Sequence, residues 1–330
     1  MKIKVINWNL GVTRDPEPFE YRPGCVFTCD PDCRDYDWLV VYDELKRPFE
    51  DLACPRERTI LATCEPISIK GYSRHYTRQF GHLLTNRPEA AEGHPHYHLG
   101  RGYYRWFTNR NYQENAAVVL PPKEKTISVV CSSKRMRRTR HFDRFRLVSV
   151  LATEIPELDW FGHGVRGFGC KCEVMDPYRY HVVVENHIAA HHWTEKLADA
   201  FLCECLPFYA GAPDLAEDFP SDSFIPIPID DPAETVRIVR ESIAAGEYEK
   251  RREAVREAKR LILEKYNFWA QVLDIVDSRH PVPASRVPDS GSHRIYGRKT
   301  LRRISLGAAL EDGWAHFRRY VGCSPARGMV

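Results

Sequence analysis

Residues His181–Gly211 read HVVVENHIAAHHWTEKLADAFLCECLPFYAG. The β-branched run His181–Glu185 predicts a strand. A polar turn follows, and Thr194–Leu202 predicts a helix that opens on Thr194, Glu195 and Lys196. Leu206–Tyr209 predicts a second strand, with Gly211 just beyond it. Strand, helix and strand in this order form the repeating unit of a parallel α/β sheet, which binds ligands outside the carboxyl ends of its strands. Glu185 and Asn186 stand at such an end. The free N–H groups and positive dipole end of the following helix favour a phosphate, and Lys196 adds a mobile cation.

The same grammar extends outward. Downstream of Leu120-Pro121-Pro122-Lys123, the spacing predicts strands over Thr126–Cys131 and Leu158–Phe161 and helices over Arg144–Leu151 and Ala233–Ala245. Glu247–Val276 reads as one long helix, since Val255, Ala258, Ile262, Trp269, Val272 and Val276 can share a buried side. Upstream, Ile3–Trp8, Trp38–Tyr42, Thr59–Thr63 and His82–Thr85 read as strands, and Glu89–Tyr104 as a loop. Two successive strand-and-helix series predict an α/β fold of two Rossmann-like domains facing a cleft. Residues 1–120 would form the first and 121–280 the second. Residues 281–330 read as a linker and a basic amphipathic tail. In that tail Leu310, Trp314, Phe317 and Val321 are at helical spacing, among Arg298, Lys299, Arg302, Arg303, Arg318 and Arg319. It could lie on an anionic membrane surface, or pack on the body with a solvated basic face.

Composition narrows the function. With 43% hydrophobic and 12% aromatic residues over 330 positions, the chain can bury real cores. The net charge of +3 is too small to attract polyanions globally, so anion binding must be local. No apolar run approaches the roughly 18–20 residues of a membrane helix, and MKIKVINWNLG is not a secretory leader. A cytoplasmic location is therefore expected. The 11 cysteines include no paired CxxC knuckles, and free thiols are expected.

From His181 to about Ile229 the chain resembles the donor-domain signature of the α-1,3/4-fucosyltransferases, glycosyltransferase family 10. The matching residues are Val184-Glu185-Asn186, Trp193-Thr194-Glu195-Lys196-Leu197, Ala200, Leu206-Pro207, Gly211 and Phe219-Pro220-Ser221-Asp222-Ser223-Phe224-Ile225. Weaker likenesses lie at Val129–Ser133, at Arg144 with Leu147, Val148 and Leu151, at Trp160-Phe161-Gly162 and at Thr59–Pro66. Val184, His187, His192-Trp193 and the turn Cys64-Glu65-Pro66 depart from the family pattern, close to where the donor sugar would lie. The resemblance implies a GT-B type inverting glycosyltransferase that moves fucose from GDP-fucose onto a hydroxyl of a saccharide or glycolipid acceptor. It implies no tightly bound cofactor and no required divalent metal. Another nucleotide sugar on the same fold is the alternative donor.

Such a reaction needs a held pyrophosphate, an oriented sugar and a base. Arg144 and Lys196 suit the pyrophosphate, since their cations would stabilise charge building on the leaving group. Glu185, Asn186, Thr194 and Glu195 would hold ribose and sugar. Glu65, after an apolar strand and before Pro66, is the candidate general base, with partial desolvation raising its pKa. His94–Asn111, with His96, Tyr103 and Trp106, is a candidate acceptor loop, because rings stack on sugar faces. The plainer readings are a favourable first helical turn for Glu195 and Lys196, a turn residue for Glu65 and a packed linker for the loop.

Three other motifs have simpler explanations. Lys134–Arg146 is crowded with cations and reads as a phosphate-attracting loop. The alternative of a non-catalytic protein binding nucleic acid or an anionic surface rests on this run and the tail. His187, His191 and His192 lack an HExxH arrangement and are expected to line a turn or the donor site, without metal. Asp30-Pro31-Asp32 and Asp35-Tyr36-Asp37 mimic a manganese-binding DxD, but in a turn-rich setting.

Overall fold

The computed structural model describes residues 1–6, 15–66, 69–87, 93–102, 105–135, 140–278 and 293–321, with side chains through 314. The chain divides into two compact α/β units. One contains Asp15–Gly100, the first residues and the segment from Gln271 onward; the other contains Arg101–Ala270.

The first unit holds β1 (Lys2–Ile6), β2 (Phe19–Arg22), β3 (Cys25–Thr28), β4 (Trp38–Tyr42), β5 (Phe49–Asp51), β6 (Thr59–Thr63), the short helix α1 (Arg74–Thr77), β7 (His82–Thr85) and β8 (Tyr97–Leu99). Its sheet runs β2-β3-β1-β4-β6-β7-β8 and is parallel apart from the β2–β3 hairpin. β4, β6 and β7 fall where the apolar runs predict them. The expected first strand stops at Ile6, and residues 7–8 lie outside the described residues. β8 corrects the reading of Glu89–Tyr104 as loop throughout. It is an edge strand that pairs its backbone with β7 and carries no apolar pattern to announce it.

The second unit contains α2 (Tyr112–Ala117), β9 (Lys125–Val130), α3 (His141–Glu154), β10 (Leu158–Phe161), β11 (Tyr178–Val184), α4 (Glu195–Leu202), β12 (Leu206–Ala210), β13 (Ile225–Pro226), α5 (Pro232–Ala244), α6 (Glu247–Glu264) and α7 (Phe268–Asp277), which spans the division between the units. Its sheet is wholly parallel, in the order β10-β9-β11-β12-β13. Numbered along the chain this is 2-1-3-4-5, a doubly wound Rossmann-like order that reverses between β9 and β11. Ile127, Val129, Leu147, Leu151, Val182, Leu197, Phe201, Phe208, Val255 and Ile262 pack into one buried cluster.

Four expectations need correction. The units divide near Gly100 rather than at residue 120. The predicted long helix breaks between α6 and α7. There the Asn267 amide donates to Leu263 O at 2.7 Å, and its Oδ1 accepts Ala270 N at 2.8 Å, so one side chain ends a helix and caps the next. The apolar period continues through the break because Val255, Ala258 and Ile262 of α6 and Trp269, Val272 and Val276 of α7 are all buried. The C-terminal segment is no separate tail. Its β14 (Arg294–Tyr296) pairs with β5, and α8 (Arg298–Ile304) and α9 (Leu306–Val321) follow, with Ile295 and Ala308 buried. Arg302 bonds Asp312 at 2.7 Å and His75 bonds Glu311 at 2.8 Å. The side chains of Phe317, Arg318, Arg319 and Val321 lie outside the described residues. Finally, Cys170 and Cys172 form a disulfide, while Cys203 and Cys205 are buried free thiols as expected. No described helix is long and apolar enough to cross a membrane.

Lys4 tests the energetics of the first unit. The KIKVI pattern of β1 suggests a half-exposed strand, yet Lys4 is fully buried. Its ammonium donates to Glu50 Oε1 at 3.0 Å, Pro31 O at 3.0 Å and Cys33 O at 2.9 Å. Arg47 closes on the other Glu50 oxygen at 2.7 Å. Removing one member of a buried ion pair strands the other. Glu50→Ala should therefore lower unfolding free energy by about 3 kcal/mol. A denaturant midpoint unchanged from wild type would show that the pair contributes little.

Candidate active site

In a doubly wound sheet the ligand crevice opens where strand order reverses, outside the carboxyl ends of the strands. In the second unit that point lies beyond Val130 of β9 and Val184 of β11. The β10 end folds tightly over it: Cys131 N donates to Phe161 O at 2.8 Å and Ser133 N to His163 O at 3.0 Å. Gly162, at φ +145°, permits this approach, because a Cβ there would sit 2.3 Å from Cys131 O.

Two helices begin at this edge. α3 brings Arg144, whose guanidinium donates from Nη1 to Asn186 Oδ1; its Nε is buried and makes no hydrogen bond. α4 brings Thr194, Glu195 and Lys196. The Thr194 hydroxyl caps the helix by accepting Lys196 N at 3.4 Å. It also lies 2.9 and 2.8 Å from the two oxygens of the fully buried Glu185 carboxyl, which further accepts Thr194 N at 2.9 Å. Lys196 Nζ reaches Glu185 Oε2 at 3.4 Å, Glu195 Oε1 at 3.1 Å and Thr194 Oγ1 at 3.1 Å. The predicted donor residues Arg144, Glu185, Asn186, Thr194, Glu195 and Lys196 thus form two linked clusters at one end of one sheet.

The electrostatics tie these clusters together. Burial disfavours the charged form of Lys196, but Glu195 and Glu185 outweigh it and raise its pKa, while Arg144 pushes the other way. Burial likewise opposes ionisation of Glu195, and Lys196 and Lys171 outweigh it, holding the carboxyl down at about 2. The His141 imidazole is lowered first by burial, then by Arg144, Lys134 and Lys196. The three cations add to the effect of burial. His192 is held at about 3, mainly by burial and then by His187 and Lys196, and is neutral at physiological pH.

The remaining candidates are scattered. Glu65 follows the carboxyl end of β6 in the first unit and is half-buried. Burial first, then Asp43 and to a lesser degree Glu65, hold the Cys64 thiol up at about 12. Near it, Lys70 pairs with Asp43 at 2.7 Å and Glu44 at 2.9 Å. His96 belongs to the same unit but precedes β8, at the amino edge of the sheet. There it lines a groove of about 800 Å³ with Arg56, Glu57, Arg78, His82 and His94. Strands of four or five residues, at about 3.3 Å per residue, separate the two edges, so Glu65 and His96 do not share a site. Trp106 sits in the other unit, packed against its core. Tyr103 lies outside the described residues.

The competing motifs are largely engaged locally. Arg140 bonds Asp143 at 3.1 Å and Asp230 at 2.8 Å, Arg146 donates to Asp230 O at 3.1 Å, and Arg135 stacks 4.3 Å from the Phe145 ring centre. Residues 136–139 of that run lie outside the described residues. Asp32 N donates to Asp30 Oδ1 at 2.9 Å, and Asp35 pairs with Lys2 at 2.9 Å, so the DxD-like stretch builds turns. His181 is a core residue, facing Ser128 Oγ at 2.8 Å and held at about 3 by burial, then by Lys171 and Lys123.

Lys171 and Asp199 are missed by sequence reasoning. Lys171 donates to the buried Asp199 carboxylate at 2.6 Å, and Asp199 also accepts Phe107 N at 2.9 Å. Lys171 sits in a short turn between paired cysteines, and Asp199 looks like an ordinary helical polar residue. Neither carries a local signal.

No family model matches the chain, and no curated protein matches it in sequence. Among solved structures, it is similar to an α1,3-fucosyltransferase with GDP-fucose, at 14% identity over 84% of this chain and 90% of that one, TM-score 0.49. It is similar to Anabaena Alr3699/HepE in complex with UDP-glucose, at 10% identity over 84% and 99%, TM-score 0.47. A glycosyltransferase from Rickettsia africae ESF-5 aligns at 9% identity over 74% and 76%, TM-score 0.41.

The depressed Glu195 carboxyl makes a prediction about acid. Ionised Glu195 stabilises the fold above its ordinary pKa of 4.5, and that contribution is lost as pH falls toward about 2. The unfolding temperature of wild type should therefore drop through this window. Glu195→Gln should show a shallower drop and a lower midpoint at neutral pH. Parallel pH profiles for the two proteins would remove Glu195 from the acid response.

Proposed function

We propose that this chain is an inverting glycosyltransferase of the GT-B type that uses a nucleotide diphosphate sugar, with GDP-fucose the favoured donor. The observation carrying the reading is the convergence of Arg144 and Lys196 at the switch point of a doubly wound sheet, beside the starts of two helices. A diphosphate would bring negative charge to Arg144, whose Nη1 meets a neutral amide oxygen and whose Nε makes no hydrogen bond. Glu185 and Thr194 form the floor that positions Lys196; Glu195 and Asn186 are placed to meet hydroxyls of the ribose or sugar. The preference for fucose rests on the sequence resemblance over His181–Ile229.

The mechanism follows from these roles. As the anomeric carbon–oxygen bond breaks, negative charge grows on the leaving diphosphate, and the two cations stabilise it more than they stabilise the intact donor. In this reading Glu65 takes the proton of the acceptor hydroxyl, whose oxygen attacks from the opposite face and inverts the centre. The acceptor is a saccharide or glycolipid. The exposed Ile304, Leu306, Leu310 and Trp314 on the C-terminal helices support a peripheral contact with a lipid surface, which would suit a glycolipid.

Thermal unfolding against nucleotides and nucleotide sugars tests the donor. GDP and GDP-fucose should raise the wild-type midpoint by linkage, and Lys196→Ala should abolish the rise. A rise with UDP compounds alone would discard fucose and retain the transferase. For the base, Glu65→Gln should reduce turnover by about 10²–10⁴-fold while leaving the nucleotide-induced shift intact. Near-normal turnover in this variant would assign the proton to another group.

A further inference from the structure

The loop joining Asn186 to Thr194 meets the segment after β12 at one point, and three metal-ligating side chains come together there. His191 Nδ1, a carboxylate oxygen of Asp214 and one of Glu217 all lie within 4.8 Å of one another. The local fold explains how. Glu217 N donates to Asp214 O at 2.9 Å, closing a single 3-10 turn over Leu215–Glu217. Residues three apart eclipse in such a turn, so both carboxylates point the same way. His191 is presented from across the gap in the left-handed region, φ +59°, where His is among the better tolerated residues. Its backbone N–H donates to both Asp214 oxygens, at 2.9 and 3.0 Å.

His191 Nδ1 is buried and pairs closely with Asp214 Oδ2. A ring proton on Nδ1 accounts for this close approach, and a metal ion can take that proton's place, because imidazole and carboxylate ligate in their deprotonated forms. Arg101 reaches Glu217 at 3.3 Å and also pairs with Asp218.

We propose that His191, Asp214 and Glu217 form a binding site for a divalent cation of the zinc class. One imidazole and two carboxylates are a common three-ligand set for Zn²⁺, leaving further positions for water. Ligand atoms around an ion at about 2.0–2.2 Å stand about 3–3.5 Å apart, so the donors need only small side-chain rotations. The ion would tie the Asn186–Thr194 loop to the end of β12. The inference does not rest on the transferase reading, because a cation here binds whether or not a nucleotide does.

The histidines lack HExxH-like neighbours in sequence; Asp214 and Glu217 arrive from another loop. The test is calorimetric titration of the full chain with Zn²⁺ after chelator treatment. The same experiment is run on Asp214→Asn, Glu217→Gln and His191→Asn, all mild for the fold, since Asn still accepts from His191 N and tolerates the left-handed backbone. Wild type should bind one equivalent and unfold at higher temperature with Zn²⁺. Each variant should bind more than about tenfold more weakly. Co²⁺ should give visible ligand-field bands without thiolate charge transfer. No stoichiometric binding, binding unaffected by the three variants, or a thiolate signature from the free cysteines would each overturn the proposal.

Discussion

Burying a carboxylate costs several kcal/mol unless hydrogen bonds and an opposite charge surround it. Glu185, fully buried at the end of β11, imposes that condition on the second unit. Its oxygens take the backbone and hydroxyl of Thr194, and Lys196 closes the set. Those demands set where α4 begins, and so where Glu195 and Lys196 stand. The next residue, Asn186, receives the guanidinium of Arg144 from α3. One strand end thereby fixes two helix starts and gathers the cations on which the proposed chemistry relies.

The surrounding packing keeps this geometry in place. Trp193 is fully buried beside Thr194, with its indole N–H on Asp218 at 2.9 Å, and its ring packs against Phe219 and Tyr266. Lys171 and Asp199 brace the other side of α4. A site held by such neighbours is preorganised, so its charges need not reorganise when a ligand's charge develops.

The cluster proposed for the donor is legible in the sequence because its residues crowd one strand–helix junction. Glu185, Asn186, Thr194, Glu195 and Lys196 fall within a dozen residues, and the physics of a strand end and a helix start acts over that range. The candidate acceptor residues do not form such a cluster. His96 and Trp106 lie ten residues apart in sequence, yet they belong to different units, and His96 occupies the amino edge of its sheet. Aromatic composition shows that rings are available but not which edge they reach. The break at Asn267 was equally invisible, because the apolar period runs through it and only the paired amide bonds reveal a cap.

By itself, the sequence determined the local elements: the strands at Trp38, Thr59, Leu158, His181 and Leu206, the helix opening at Thr194 and the polar residues at their ends. These follow from hydrophobic period and capping chemistry, which are properties of neighbouring residues. Only the tertiary structure decided the strand order, the return of the C-terminal segment to the first unit, the buried Lys4–Glu50 pair and the meeting of His191 with Asp214 and Glu217. Each depends on contacts between distant segments, where burial and charge compensation are settled by what the fold brings together.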